Sequence, residues 1–336
     1  MKRTAPLLLL VALGIAAEGA PATPPAEQPL RRAGARVARV TSDVPTWDGR
    51  VRLGAGWDSN ALLDSDPDTV QTKTALYSAE SQLGWRPIAD DRNFVKATGT
   101  VAFDRRPQLE RLDSGRLALG VSGARQGEVV TTGGSLSAAR YWLDGDGAAA
   151  EVRGGASLAW LRQDSVDLLA LEAAVIHFDV ASDRPEAARA LGELGRADDR
   201  SGAMAAGAWR HWWQLGGGSR LEAAVRGGRF FANDTIECYE LVQPWLALRL
   251  RSKGWDVQAR AAMEGRLYDA ERVDGSGKET SVLSTMTVSA DRLLRRNLWA
   301  GAYVGASARD SDYDSRDYER WQIGARLTWT FAAAEE

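Results

Sequence analysis

Apolar residues recur at every second position from Gly49 onward, in segments of about ten to fourteen residues separated by turn formers. The last segment shows the pattern most cleanly. Trp321, Ile323, Ala325, Leu327, Trp329 and Phe331 alternate with Gln322, Gly324, Arg326, Thr328 and Thr330. A period of two places the two sets on opposite faces of one extended strand. The chain is therefore predicted to be a succession of strands, each with one greasy and one wet face.

The same reading runs along the chain. Val51, Leu53, Ala55 and Trp57 oppose Arg50, Arg52, Gly54 and Gly56, and Ala75, Tyr77, Ala79, Leu83 and Trp85 oppose Ser78, Glu80 and Gln82. Later segments repeat it around Val95–Phe103, Leu117–Val121, Val152–Trp160, Ala203–Trp213, Leu221–Val225, Leu246–Leu250, Trp255–Met263, Val282–Val288 and Leu298–Val304. Phase is weak over Val129–Tyr141. Val166–Phe178 is apolar on both faces apart from Asp167, Glu172 and His177. Including these two, the count is fourteen, an even number such as single-chain outer-membrane barrels carry. The predicted fold is all-β: a transmembrane, antiparallel, up-and-down barrel of about fourteen strands. The alternative is a soluble all-β protein whose greasy faces meet a second sheet.

Connections and aromatic positions favour the barrel. If the chain starts on the periplasmic side, the inner connections are short, as at Arg86–Asn93, Asp164–Ser165, Ser252–Gly254 and Asp291–Asn297. The outer ones are mostly longer and acidic, as at Ser59–Thr72, Ala181–Arg200 and Asp269–Lys278. A sandwich has no reason to keep that alternation. Trp57, Phe103 and Trp321 fall at predicted outer strand ends, and Trp85, Trp160, Trp213, Trp255 and Trp329 at inner ends, with Phe331 closing the last strand. Two aromatic belts are what a bilayer selects. One short helix is expected at Glu186–Leu194, within an outer loop.

The N-terminus adds an address. Lys2 and Arg3 precede an apolar or small run from Ala5 to Ala17, and Ala20-Pro21-Ala22 follows. This is the layout of a cleaved signal peptide, and a run of about thirteen residues is shorter than the roughly twenty that a membrane helix needs. The expected organisation is a signal peptide at 1–22, a flexible periplasmic arm rich in proline and arginine at 23–47, the barrel at 48–331 and a tail at 332–336. Outer-membrane location follows. The expected partners are outer-membrane lipid and lipopolysaccharide, and barrel-insertion machinery engaging the C-terminal strand. An exported polymer or a lipoprotein client completes the set.

Composition adds little chemistry. A net charge of −3 argues against nucleic acid, and a lone Cys238 excludes an internal disulfide. The wet faces carry Arg52, Lys96, Arg116, Arg153, Arg210, Arg226, Arg249, Arg251, Arg260, Arg320 and Arg326 against Glu80, Glu151, Glu172, Glu222, Asp256 and Glu264. That excess predicts a lumen that prefers anions or acidic polymers, or else opposite charges that pair across the lumen and brace it. Acidic runs at Asp64–Asp68 and Asp310–Asp314 read either as divalent-cation sites or as solvated loop faces. Gly275-Ser-Gly-Lys278 lacks the glycine and the hydroxyl residue of a phosphate loop, and zinc and nucleophile-elbow motifs are absent. No cofactor is expected. A barrel-embedded hydrolase built on His177 or His211 is the enzymatic alternative to a non-enzymatic conduit.

Gly54-Ala-Gly-Trp57-Asp58-Ser59-Asn60 resembles the G-x-x-[YW]-D-S-N signature that opens the barrel of surface lipoprotein assembly modifier proteins, and it is similar to related exopolysaccharide-export barrels. The resemblance implies a barrel of about fourteen strands and a role in placing lipoproteins, or moving polymer, across the outer membrane. Those modifier proteins carry a helical-repeat domain before the barrel, where this chain has only a short arm. Locally, Asp58, Ser59 and Asn60 all favour turns and side-chain-to-backbone bonding.

Overall fold

In the computed structural model, alternation resolves into fourteen strands, each hydrogen-bonded to its sequence neighbours. The described residues are 47–60, 73–89, 92–127, 129–162, 164–178, 201–233, 237–271, 277–312 and 317–333. The strands are β1 (Trp47–Asp58), β2 (Thr74–Ala89), β3 (Asn93–Arg105), β4 (Ser114–Gln126), β5 (Val130–Leu143), β6 (Asp146–Leu161) and β7 (Ser165–Phe178). They continue with β8 (Gly202–Gly216), β9 (Ser219–Ala232), β10 (Tyr239–Ser252), β11 (Trp255–Glu271), β12 (Lys278–Arg295), β13 (Leu298–Ser311) and β14 (Tyr318–Ala333). Every pairing is antiparallel, and β1 pairs with β14 from Trp47↔Ala333 to Asp58↔Gln322, so the barrel closes and no edge is left.

The turns explain the tight end of the barrel. Lys253-Gly254 joins β10 to β11 with both residues at positive φ, 45° and 82°, the backbone that matches the twist of a two-residue hairpin. At the other end Asp144-Gly145, at 52° and 82°, does the same for β5 and β6. The strands run further than the sequence predicts. β2 reaches Ala89 and β12 reaches Arg295, absorbing most of the turns expected at Arg86–Asn93 and Asp291–Asn297. β1 starts at Trp47 and β14 ends at Ala333. Backbone pairing continues past the apolar belt because N–H and C=O groups there still need partners, and irregular register at Trp85/Ile88 and Leu293/Arg295 accommodates it. The expected signal, the arm up to residue 46 and the Glu186–Leu194 helix lie outside the described residues, and Trp47, the arm's last residue, belongs to β1.

Register also fixes the faces that sequence left open. In β5, Leu136 points outward and Ser135 and Ser137 inward. In β7, Glu172 points inward, whereas Asp167 and His177 point outward. Leu53, Leu119, Leu136, Leu171, Val175, Met263 and Ile323 are all exposed on the outer face, Leu171 at 71%. An apolar belt running around the whole cylinder is far larger than a soluble monomer exposes, and it is the surface that acyl chains cover. Among the described residues no helix is long and apolar enough to cross a membrane.

The interior is lopsided. Buried apolar clusters sit inside on β6–β11: Ala159, Val166, Leu168 and Trp212 in one, and Ala174, Met204, Phe230, Tyr239, Leu241 and Tyr268 in another. The inner wall of β4–β6 instead carries a band of small residues, Ala118, Gly120, Ser122, Ser137, Gly155 and Ser157, each on the short-turn side of Arg116, Tyr141 or Arg153 along its own strand. Ser135, on that wall, faces inward and is nevertheless exposed, so water reaches the bore at its level.

Candidate functional site: the charged inner face

Inward-facing charges pair in short clusters, along one strand, between neighbours or over an intervening strand. The Arg50 guanidinium donates to Glu80 at 2.6 Å, and Arg52 lies beside Glu80 in the β1–β2 register. Asp48 holds both Lys96, at 2.9 Å, and Arg86. Arg153 bonds Glu151 at 2.6 Å and lies 3.6 Å from Glu172, which also takes Arg226. Arg249 and Arg251 converge on Asp256 at 2.5 and 3.1 Å. Glu264 takes Arg266 at 2.6 Å and the Gln243 amide at 3.1 Å. Arg326 reaches over β13 to Asp291 at 2.6 Å and donates to Ser289. It passes Gly301, where any Cβ would overlap the Asp291 carboxylate. Gly84 opens the same gap for Asp48 and Lys96.

The Asp58-Ser59-Asn60 segment does not form the solvated turn that its composition suggests. It is the seam. Asp58 is fully buried and accepts from Arg320 (2.9 and 2.5 Å) and from Gln322 (3.0 Å). Ser59 exchanges hydrogen bonds with the Trp321 backbone, and the Asn60 amide donates to the Glu319 carbonyl at 2.9 Å. Turn formers are chosen here because short polar side chains can bond the backbone of the strand that closes the barrel.

Four inward-facing guanidiniums stand apart from this pairing. Arg116 lies 5.5 Å from the Tyr141 ring centroid, Arg210 and Arg260 lie 5.1 and 5.4 Å from that of Trp245, and Arg309 lies 5.8 Å from that of Tyr318. Among the described residues none of the four donates a side-chain hydrogen bond or has a carboxylate within 4 Å. The Trp245 indole is fixed by its N–H to Glu222 at 2.8 Å. The other Glu222 oxygen accepts from Trp212, fully buried, at 2.7 Å. Sequence reasoning placed Arg210, Arg260 and Glu222 on the wet face but passed over both tryptophans. Their phase would have given them away: Trp212 stands next to outward Trp213, and Trp245 next to outward Leu246.

On the outer face, Trp57 and Trp321 ring the long-loop end. Trp85, Trp160, Trp213, Trp255, Trp329 and Phe331 ring the short-turn end, joined by Trp47, whose ring stacks 5.9 Å from Trp85. Both histidines also face outward. His211 Nδ1 is 2.7 Å from Asp167, between Trp209 and Trp213. His177 Nδ1 is 3.1 Å from the Ser201 hydroxyl, which also accepts from the Phe178 N–H at 3.0 Å. Among the described residues no cluster of three His, Cys, Asp or Glu side chains could hold a metal. Asp64–Asp68 lies outside the described residues. Asp312, from the second acidic run, accepts from Thr280.

No family model and no curated protein matches the chain. Among solved structures it is similar to CdiB from Acinetobacter baumannii, with 9% identity and a TM-score of 0.47 over 86% of this chain and 60% of that one. This chain therefore spans about 60% of the length of CdiB. An anion-selective porin from Comamonas acidovorans matches with 9% identity and a TM-score of 0.47, over 86% of this chain and 100% of the porin. The outer-membrane OmpT of Vibrio cholerae matches with 10% identity and a TM-score of 0.46, over 87% and 99%. The fold itself rests on the closed ladder and the apolar belt: the chain is an outer-membrane type β-barrel of fourteen strands.

Proposed function

We propose that this protein is a non-enzymatic conduit of the outer membrane whose bore favours anions. The observation that carries the reading is the charge balance of the inner face. Its carboxylates Asp48, Asp58, Glu80, Glu151, Glu172, Asp256, Glu264 and Asp291 are each held by cations, whereas Arg116, Arg210, Arg260 and Arg309 have no carboxylate within 4 Å. Paired charges brace the wall, with Asp48 and Asp256 each shared by two cations, and the unpaired guanidiniums add to that positive balance. The bracing reading and the basic-lumen reading thus draw their support from different residues. The small-residue wall on β4–β6 supplies the passage, and a signal peptide supplies the route to the membrane.

The resemblance to surface lipoprotein assembly and polymer-export barrels supports acidic polymer as a passenger alongside small anions, since both meet the same surplus charge. The enzymatic reading has two histidine contacts, Asp167 with His211 and Ser201 with His177, and only the second offers a hydroxyl as nucleophile. Ser201 is buried and its hydroxyl already accepts the Phe178 N–H, which suits a bracket holding the β7 exit more than a nucleophile.

Reversal potential in a KCl gradient across a planar bilayer tests the conduit. Anion preference is the expected result. Cation preference, or no current from correctly folded protein, overturns it.

A further inference from the structure

Two of the surplus cations, Arg210 and Arg260, meet at one place. Trp212 (β8), Glu222 (β9), Ala247 (β10) and Arg260 (β11) form one row of the barrel wall, and Arg210, Ala224, Trp245 and Ala262 form the next inward-facing row toward the long-loop end. At their centre the Trp245 indole is pinned through its edge by Glu222, leaving its π faces to the two guanidiniums. The other inward positions of the two rows, Ala224, Ala247 and Ala262, are alanines, which leaves Glu222 as the one acidic side chain in them. One carboxylate is set against two guanidiniums, and its oxygens are already taken by indole N–H groups. The site therefore carries one unit of surplus positive charge and two sets of unused planar donors. Two like charges around one ring repel each other, and a ring quadrupole and one shared carboxylate offset only part of that repulsion.

We infer that Arg210 and Arg260, on the Trp245–Glu222 platform, form an oxyanion-binding subsite in the bore, taking phosphate-like groups in preference to halide. A guanidinium presents parallel N–H donors matched to two oxygens of one oxyanion, a geometry that a spherical chloride ion cannot use. The inference rests on the conduit reading for access to the site, and it differs from that reading in what it demands. General basicity needs only charge; a subsite needs these two residues. The oxyanion is either free phosphate or an acidic group of a polymer.

The test uses the full protein in planar bilayers in KCl, with inorganic phosphate added, and with polyuronate in a parallel arm. Wild-type chloride current should fall in a saturable manner as phosphate rises. Arg210→Gln and Arg260→Gln should each raise the half-blocking phosphate concentration by about tenfold or more, the loss expected for a charge-assisted hydrogen bond. Arg116→Gln removes the same charge elsewhere in the bore and should not move that concentration. Block by polyuronate but not by phosphate assigns the site to polymer groups. Equal phosphate block in wild type and both variants, or shifts no larger than that of Arg116→Gln, overturns the subsite while leaving the conduit intact. Absence of any chloride current overturns the conduit, and calorimetric titration of phosphate into the detergent-purified barrel then decides the subsite alone. Retention of the fast-migrating band on unheated gels confirms that each variant has closed its barrel.

Discussion

Arg320 grips Asp58 through Nε and Nη2, at 2.9 and 2.5 Å, across the line where the first strand meets the last. The two residues are separated by most of the chain, and their pairing belongs to the step that turns a sheet into a cylinder. Asp58 is fully buried and Arg320 largely so, and a buried pair that loses one member leaves an uncompensated charge.

Asp58→Ala is therefore expected to destabilise the closed barrel by about 3–5 kcal/mol, the usual cost of breaking a buried pair from one side. The measurement is urea unfolding followed by tryptophan fluorescence, alongside the temperature at which the folded band is lost on gels. Replacing both residues, Asp58→Asn with Arg320→Gln, should recover part of the loss because no charge is stranded. Stability equal to wild type in the single variant would mean that the backbone ladder from Trp47↔Ala333 to Asp58↔Gln322 closes the seam unaided.

Gly301 makes a second long reach possible. It lies between Asp291 and Arg326 in the ladder, and a side chain there would occupy the path of the ion pair. Gly301→Leu should cost several kcal/mol by forcing the carboxylate aside, on the order of other buried-pair disruptions. Gly154→Ala faces outward with no atom closer than 3.9 Å to the new Cβ, and its effect should stay within about 0.5 kcal/mol. Thermal unfolding of the two variants compares them directly. Similar losses at both positions would show that strand glycines matter here for backbone freedom and not for clearance.

Ser201 and His177 discriminate bracket from catalyst. Ser201→Ala removes the acceptor of the Phe178 N–H and should lower stability by about 1 kcal/mol, the typical net value of one hydrogen bond. Turnover of ester substrates by the reconstituted protein should be indistinguishable between wild type and Ser201→Ala. Loss of a measurable wild-type esterase activity in that variant would replace the bracket with a nucleophile.

Much of this was legible because lipid and water leave opposite marks on alternate residues. The apolar phase of β14, Trp321 to Phe331, faces outward as its pattern predicts, and so do Leu53, Leu119 and Ile323. What alternation does not carry is register. Nothing local to Asp291 announces Arg326, because the partner lies on a strand two removed and is reached only over a glycine. Asp58-Ser59-Asn60 read as a turn for the same reason: the residues that satisfy them sit at the far end of the chain. Phase failed in β7 because both its faces are apolar, the inner one packing Leu168 and Ala174 against Trp212 and Met204. Inside a barrel, a local hydrophobic cluster looks like a lipid face.

That ambiguity is resolved by charging the two faces at one height. Leu171 on β7 points outward and stands level with Ala156 and Gly134, while Ser135 on β5 points inward and stands level with Gly155 and Glu172. An arginine at Leu171 would meet acyl chains near the middle of the strand, at a cost of about 2–4 kcal/mol. An arginine at Ser135 would meet water and the Glu172 carboxylate across Gly155, where charge is solvated. Leu171→Arg should therefore reduce folding into lipid vesicles markedly, and Ser135→Arg should fold like wild type while narrowing the bore and lowering conductance. A soluble sandwich makes the opposite demand, since its exposed face tolerates charge and its inner face does not. Efficient folding of Leu171→Arg together with collapse of Ser135→Arg would reverse the assignment of the two faces, and with it the cylinder in the membrane.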